Sequence, residues 1–317
     1  MFTQYNQIKE ELHKILLTAK KRTKEKHPYI YILAQLFFNR GCKEYFFLWY
    51  FYFRWVDDIA DLPNRSYEEK IYFINSQREI LLKTYADKEL KEKYLIEEEK
   101  YIYYLALFDL QNGLRLKNHI LGMFSAIEYD IQRENLIPQK KELYKFIEIE
   151  VTSYLNTFLF FCKPKGNYSL SSKPYGGIAC KQIHILRDFI EDLYQGWINI
   201  PVEDIGDYKI ELNYINTPSF RQWVQEKVKF AEDYFLIEKQ NLKTVPSLRY
   251  KLAVVALFAK YEFILKRIKK NKFYLPLKSN KTNLEKMFFI LYLFLGLLKV
   301  LIEHIQFSFR NLSIFKH

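Results

Sequence analysis

Three aspartates follow the most aromatic stretch of the sequence. Asp57, Asp58 and Asp61 come after the apolar run that begins at Tyr45. Because four residues make about one helical turn, the carboxylates of Asp57 and Asp61 would lie on one face of a helix. Like charges at that spacing repel each other, and the nearby Arg54 supplies partial compensation. A divalent cation would offset the repulsion, so this pair is a candidate metal site.

A second acidic cluster lies far along the chain. Asp188 and Asp192 are again four residues apart, with Arg187 directly before them and Glu191 between them. If both pairs faced each other in a helical bundle, they would offer the oxygen ligands that Mg²⁺ prefers and leave positions for phosphate oxygens. One such pair is usually a solvated helix face. Two pairs with apolar flanks favour a diphosphate site.

The segments around both clusters resemble the aspartate-rich motifs of the squalene/phytoene synthase family, the head-to-head trans-isoprenyl diphosphate synthases. The first motif is similar to Tyr50–Asp61, and the second is similar to Ile185–Asp192 with its continuation through Gly196 to Pro201. Weaker similarity covers most of the chain from about residue 28 onward. The resemblance implies a divergent member with an all-α, single-domain class I isoprenoid synthase bundle and a central cavity.

The resemblance also implies roles for individual side chains. The catalytic residues and metal ligands would be Asp57, Asp61, Asp188 and Asp192. The residues that bind substrate diphosphate would be Arg54, Arg187, Lys181 and Lys278. Further candidates for the site are Asp58, Glu191, His184 and Tyr261, and Asp130 matches an acidic family position. The implied metal is Mg²⁺, with Mn²⁺ as an alternative, and NADPH would be needed only for a reduced squalene product.

Several positions depart from the family pattern. The family's QxxNILRD segment has a lysine and a histidine here, Lys181 and His184, in place of its glutamine and asparagine. Trp197 stands where the family has an arginine, and residues 150–154 are bulkier than the small residues usual in that helix. Lys278 replaces an arginine, which keeps the charge but loses the bidentate geometry. These changes leave the particular reaction open.

The leading hypothesis is a prenyltransferase that joins two farnesyl or geranylgeranyl diphosphates head to head, to a squalene- or phytoene-type product. A terpene cyclase of the same fold, acting on one prenyl diphosphate, is an alternative that the altered pocket helix favours. A non-catalytic lipid-binding or assembly relative is another. Retention of all four motif aspartates favours an enzyme, because crowded carboxylates are costly in a bundle that has no use for a metal.

Apolar residues recur at helical spacing in segment after segment, as in Ile8–Leu16. Breaks at proline and glycine divide the chain into roughly ten helices, and the glycine motifs of nucleotide-binding α/β domains are missing from the sequence. The stretch Tyr45–Val56 is apolar nearly all round, so we expect it inside the bundle. We expect an N-terminal helix or extension over residues 1–27 and one family domain over residues 28–317.

The formal net charge of +12 favours an anionic partner such as a phosphorylated substrate or an acidic membrane surface. We expect prenyl diphosphates as substrates and no nucleic-acid partner. The sequence leaves the oligomeric state open between monomer and dimer.

Three cysteines without a CxxC pair, and an N-terminus without an apolar leader, predict a cytoplasmic protein. The basic clusters and the apolar C-terminal segment also favour peripheral association with the inner face of the membrane. The run Met287–Leu298 is shorter than a membrane span needs and therefore predicts a buried final helix.

Overall fold

The computed structural model describes residues 2–86, 94–113, 116–162, 173–215, 217–275 and 282–314. These residues form twelve α-helices and no strand, which confirms the predicted all-α class. The helices are α1 (Phe2–Lys26), α2 (Pro28–Phe37), α3 (Lys43–Ala60), α4 (Tyr67–Tyr85), α5 (Glu97–Asn112), α6 (Lys117–Gln132), α7 (Lys140–Cys162), α8 (Tyr175–Tyr194), α9 (Val202–Tyr208), α10 (Pro218–Thr244), α11 (Leu248–Lys270) and α12 (Asn283–Ile314).

The helices divide between two compact units. Unit 1 comprises residues 1–132 and 153–165, and unit 2 comprises residues 133–152 and 166–317. The first half of α7 therefore belongs to unit 2 and its second half to unit 1. Each unit carries one of the two aspartate-rich segments.

Helix α3 is the core of unit 1 and packs against α1, α2, α4, α5 and α6. Its aromatic side chains are buried on several sides, as at Phe46, Trp49 and Tyr52. Phe46 contacts Phe158 edge to face, with ring centroids 6.0 Å apart, a geometry that adds to the stabilisation from burial. The burial predicted for this helix is confirmed, and it holds the acidic end of α3 in a defined position.

Helix α8 is the core of unit 2 and packs against α10 and α11. Gly176 allows this close approach, because a Cβ atom there would lie 2.3 Å from the Phe258 ring and 2.8 Å from Cγ of Glu238. The Gly176 amide donates a hydrogen bond to the Glu238 carboxylate at 3.2 Å. The second aspartate-rich segment therefore lies on a helix whose position is fixed by tight packing.

A buried carboxylate on α9 joins α7 and α10 within unit 2. Asp204 on α9 is 1% exposed and forms ion pairs with Lys140 at 2.8 Å and Lys227 at 2.6 Å. The Trp223 indole N–H donates a third bond to it at 2.8 Å. Because each carboxylate oxygen has a charged or polar partner, the burial of Asp204 is compensated.

The prediction of a buried final helix is wrong. Helix α12 packs against α11 on one side, and many of its apolar side chains are exposed, among them Phe288, Ile290 and Phe294. Since α11 covers one face, the remaining apolar surface has no protein cover within the described residues. By length and composition alone, Asn283–Gln306 could cross a membrane, and none of its most apolar stretch is buried.

Candidate active site

The first aspartate-rich segment occupies the C-terminal turn of α3. Asp57 accepts a hydrogen bond from the Arg54 guanidinium at 2.6 Å, and Asp58 accepts another at 3.3 Å. Asp61 caps the helix, with its backbone N–H donating to the carbonyl of Asp57. The single guanidinium of Arg54 is thus shared between two of the three carboxylates.

Asp61 is a carboxylate of this segment whose pKa is raised by its surroundings. Desolvation by the surrounding protein, followed by repulsion from Asp57 and Asp130, raises the pKa of Asp61 to about 7, with Arg54 and Lys70 opposing the shift. The Asp61 side chain remains accessible, so a ligand can reach it from solvent. Asp130 was a minor match in the sequence, and the structure brings it close enough to repel Asp61. Asp130 lies on α6, so its repulsion of Asp61 depends on helix packing that spacing in the sequence does not reveal.

In the second segment, Asp188 is stabilised as an anion by two neighbouring side chains. Arg187 donates from Nε to Oδ1 of Asp188 at 2.6 Å, and a second guanidinium nitrogen bonds Oδ2. His184 Nε2 lies 3.0 Å from the same Oδ2. Burial alone would raise the pKa of Asp188, but the hydrogen bonds from Arg187 and His184 outweigh it and hold that pKa far below its usual range. Asp188 is therefore a fixed anion.

His184 is a neutral hydrogen-bond donor. Desolvation, opposed by its bond to Asp188, lowers the pKa of His184 to about 4. A neutral imidazole facing a carboxylate donates from the nitrogen nearest to it, so Nε2 carries the proton and Nδ1 is the acceptor. The Tyr261 ring lies 6.2 Å away, centroid to centroid. His184 thus supplies the donor that an amide would supply at this position.

Asp192 is oriented by two residues that sequence reasoning missed. Asn199 donates from Nδ2 to Oδ2 of Asp192 at 2.9 Å, and its own Oδ1 accepts from Arg133 at 2.9 Å. Arg133 also donates to the backbone carbonyl of Ile198 at 3.0 Å and lies over the Trp197 ring at 6.0 Å. A buried guanidinium therefore lies against the tryptophan that replaces the family arginine. No spacing signal in the sequence links Arg133 to this segment.

Two departures from the family pattern pair with each other. Lys181 Nζ lies 2.6 Å from a carboxylate oxygen of Glu150 and 5.4 Å from the centre of the Phe146 ring. Both charged side chains are largely shielded, with 18% and 24% of their surface exposed. The lysine predicted to contact diphosphate is therefore held by a carboxylate on α7.

The remaining candidates are less engaged or lie outside the described residues. Asp58 and Glu191 are exposed, and Asp58 bonds Arg54. Lys278 lies outside the residues that the structure describes. Within the described ranges, no three His, Cys, Asp or Glu side chains form a group that could hold a metal ion by themselves.

A family model provides the deciding comparison. The model described as squalene/phytoene synthase matches residues 25–285, which is most of the chain and includes both aspartate-rich segments. This chain belongs to the squalene/phytoene synthase family. No curated protein sequence matches it.

Two solved structures support the all-α isoprenoid synthase fold of this family member. Squalene synthase HpnC from Alicyclobacillus acidocaldarius aligns with a TM-score of 0.68 at 17% identity, over 84% of this chain and 97% of that one. A dehydrosqualene synthase crystallised in complex with ligand aligns with a TM-score of 0.65 at 15% identity, over 90% of this chain and 96% of the other. At these identities, the likeness shows the fold alone.

Proposed function

We propose that this protein is a prenyltransferase that condenses two molecules of farnesyl or geranylgeranyl diphosphate head to head. Family membership supports condensation of this type. The observation that carries the proposal is the second aspartate-rich segment, where Arg187 and His184 fix Asp188 as an anion and Asn199 orients Asp192. Carboxylates held this way keep a defined position, and Asp188 also keeps its charge, which suits them to bind a cation that in turn binds an anionic substrate.

The proposed reaction begins when the allylic C–O bond of one substrate breaks and its electron pair leaves with the diphosphate. The double bond of the second prenyl chain then attacks the allylic cation, and loss of a proton gives a cyclopropyl intermediate that still carries the second diphosphate. When that diphosphate leaves with its electron pair, the carbon skeleton rearranges, and either loss of a proton or transfer of a hydride from NADPH completes the product. Negative charge builds on the leaving diphosphate, so groups that stabilise it lower the barrier. Arg54 and Arg187 are the described guanidinium groups next to the two segments, and each already contacts a motif carboxylate.

Magnesium is the metal that we propose for this site, with Mn²⁺ as an alternative. The donor set fits, because Asp57 and Asp61 offer oxygen ligands. Desolvation, followed by repulsion from Asp57 and Asp130, raises the pKa of Asp61, and a bound cation would oppose both effects. Mg²⁺ usually keeps several waters and binds through one or two carboxylates plus substrate phosphates, so a closed protein cage is unnecessary. When bound, the ion would supply positive charge to the diphosphate leaving group.

The chain's own residues would position that charge. Asp57 and Asp61 in unit 1, and Asp188 and Asp192 in unit 2, are the metal ligands that we propose. Arg187 would keep Asp188 ionised until a cation competes for its oxygens. His184 would remain a neutral donor at physiological pH, since its pKa is lowered to about 4. To bind substrate, Lys181 would have to break its ion pair with Glu150. We therefore propose that Lys181 contributes to the net charge of the site and does not bind the diphosphate directly.

The decisive experiment incubates purified protein with farnesyl or geranylgeranyl diphosphate and Mg²⁺, with and without NADPH, and analyses the organic extract by mass. We expect a product that contains both prenyl chains. A product that forms only with NADPH would be of the reduced squalene type. A product that forms equally well without NADPH would be of the dehydrosqualene or phytoene type.

Two other outcomes would replace the proposal. A product with the carbon number of one substrate would make the protein a terpene cyclase. No diphosphate release, together with no rise in melting temperature on adding Mg²⁺ and diphosphate, would support a non-catalytic relative, because a functional site stabilises the fold by linkage.

A further inference from the structure

Helix α12 contacts α11 through several polar groups. Glu285 forms an ion pair with Arg267 at 3.0 Å, and the Tyr292 hydroxyl bonds the Glu262 carboxylate at 2.7 Å. Between these polar contacts, the rings of Phe263 and Phe289 pack with their centroids 5.6 Å apart. These contacts run along one face of α12 and attach it to α11.

The opposite face of α12 is apolar and exposed. It is formed by Leu284, Met287, Phe288, Ile290, Leu291, Phe294, Leu295, Leu298, Leu301, Ile302 and Ile305. We call these residues the outer face of α12. The segment Met287–Leu298 contains no charged residue. A surface helix in water normally shows the reverse arrangement, with its apolar stripe inward and its charges outward, so a partner must cover this face.

The polar pairing along α11 favours a helix that lies flat in a membrane. Near the far end of the apolar stretch, burial lowers the pKa of Lys251 on α11, and the charge of Glu303 on α12 opposes that shift. If α12 crossed a bilayer, these ionic and hydrogen-bonded pairs would have to enter the hydrocarbon region, which is costly. A helix parallel to the membrane plane buries its outer face while the polar face stays with the protein. The long stem of Lys299 can then carry its ammonium to the headgroups.

A basic cluster lies where α11 ends and α12 begins. Its exposed lysines are Lys266, Lys269, Lys270, Lys272 and Lys286. Lys269 forms an ion pair with Glu232 at 2.6 Å. Two of these lysines are next to α12: Lys286 is part of it, and Lys266 Nζ lies 4.1 Å from the centre of the Tyr292 ring. Lysines near an anionic bilayer contribute about 1 kcal/mol each to binding.

We propose that the outer face of α12 inserts into the headgroup boundary of an anionic lipid bilayer, with the basic cluster on the lipid phosphates. The charge pattern selects this occupant over a second copy of the chain. A second copy would carry the same basic cluster and the same net charge of +12, whereas an anionic surface complements both. The proposal does not depend on the reaction that the protein catalyses.

Vesicle flotation without substrate tests the proposal directly. We expect the full-length protein to float with vesicles that contain phosphatidylglycerol and to bind phosphatidylcholine vesicles several-fold more weakly, with the difference shrinking at high salt. Leu291→Glu combined with Leu295→Glu should reduce flotation by about tenfold or more, because two leucines leave the lipid and two charges face it. Absence of flotation, or equal binding to both vesicle types, would overturn the proposal.

The chain offers a matched control on another helix. Ile32 and Leu36 on α2 are four residues apart and 51% and 65% exposed, compared with 51% and 54% for Leu291 and Leu295. The double change to glutamate on α2 should leave flotation unchanged. An equal loss in the control would show a general charge effect and contradict a specific surface. Light scattering that finds a dimer in the parent chain and a monomer in the α12 variant would instead assign the outer face to a second copy.

Labelling distinguishes insertion in the plane from spanning. Lys286→Cys and Gln306→Cys, each on the vesicle-bound protein, should both react with a membrane-impermeant thiol reagent added outside the vesicles. Reaction at one position and protection at the other until the vesicles are lysed would show a spanning helix and overturn the flat orientation. Buried Cys162 and Cys180 should contribute little background, and the parent chain measures the contribution of Cys42.

Discussion

The two aspartate-rich segments have the same carboxylate spacing and different electrostatic surroundings. At the end of α3, one guanidinium serves Asp57 and Asp58, while repulsion from Asp57 and Asp130 helps to raise the pKa of Asp61. On α8, Asp188 is bonded by both Arg187 and His184, and its pKa is held low. Asp188 therefore has a close counter-charge in Arg187, whereas the surroundings of Asp61 disfavour its charged form.

This difference shows that spacing selects candidate ligands without setting their charge state. Arg187 supplies Asp188 with a short bidentate contact from an adjacent residue. Asp192 depends on the amide of Asn199. A cation bound at Asp57 and Asp61 would therefore relieve repulsion, whereas a cation bound at Asp188 would compete with existing bonds.

The largest expected effect is on catalysis and would test whether both segments act despite their difference. Asp57→Asn and Asp188→Asn should each lower the rate of diphosphate release by about a thousandfold, because each removes a proposed metal ligand. The measurement is release of diphosphate from farnesyl diphosphate. Asp233→Asn is the control, since Asp233 is an exposed aspartate paired with Lys229. A small effect in either motif variant would confine the site to one segment.

The next largest effect tests whether a buried carboxylate outside the two motifs stabilises the fold when it is paired with cations. Asp204→Asn should cost about 3 kcal/mol in free energy of unfolding at pH 7, because Lys140 and Lys227 lose their shared partner. Although burial would raise it, the pKa of Asp204 is lowered by these lysines and Trp223. Its contribution is therefore present above the unfolded-state pKa and is lost as pH falls through the folded-state pKa.

Urea unfolding as a function of pH checks this prediction. The free energies of unfolding of the parent chain and Asp204→Asn should differ most near neutral pH. The difference should begin to shrink as pH falls through about 4, the unfolded-state pKa of an aspartate, and should vanish only below the lowered folded-state pKa. A difference that is constant with pH would mean that packing, rather than charge pairing, explains the loss.

A smaller change in the free energy of unfolding is expected to have opposite signs in the two segments. Without metal, Asp188→Asn should destabilise the fold by about 2 kcal/mol, since Arg187 and His184 lose a charged acceptor. Asp61→Asn should stabilise it by about 0.3 kcal/mol, because it removes a like-charge contact. Urea unfolding in the presence of EDTA measures both. Destabilisation by both variants would break the contrast between the segments.

The smallest effect concerns the charged pair beside the second segment. A double-mutant cycle with Lys181→Gln and Glu150→Gln should give a coupling energy of about 1 kcal/mol, because both side chains are largely shielded. The exposed pair Lys229 and Asp233, at 3.5 Å, should give a coupling near zero. Equal coupling in the two cycles would mean that burial does not strengthen the Lys181 pair.

Much of the fold could be predicted from the sequence because helical periodicity is local. The apolar run that became α3 carried its own evidence for burial, and the breaks at proline and glycine indicated an all-helical chain. The prediction of a buried final helix was wrong, because apolar composition shows that a segment avoids water without showing what covers it. For α12, α11 covers one face and leaves the outer face exposed.

The candidate site could be predicted in part. Spacing and family resemblance single out four aspartates and two arginines, whose roles in the site stay predictions. The orienting roles of Arg133 and Asn199 were missed, since they depend on a contact between residues far apart in the chain. The same holds for Lys181, whose Glu150 partner lies on another helix.

The sequence by itself determined the helical class, the spacing of the two carboxylate pairs and the family to which the chain belongs. The tertiary structure alone decided which carboxylates are neutralised and which apolar face remains uncovered. The physical reason is the separation along the chain over which each effect acts. Helix periodicity acts over about four residues, whereas desolvation and counter-charge come from whatever the fold brings within a few ångströms, such as Asp130 beside Asp61.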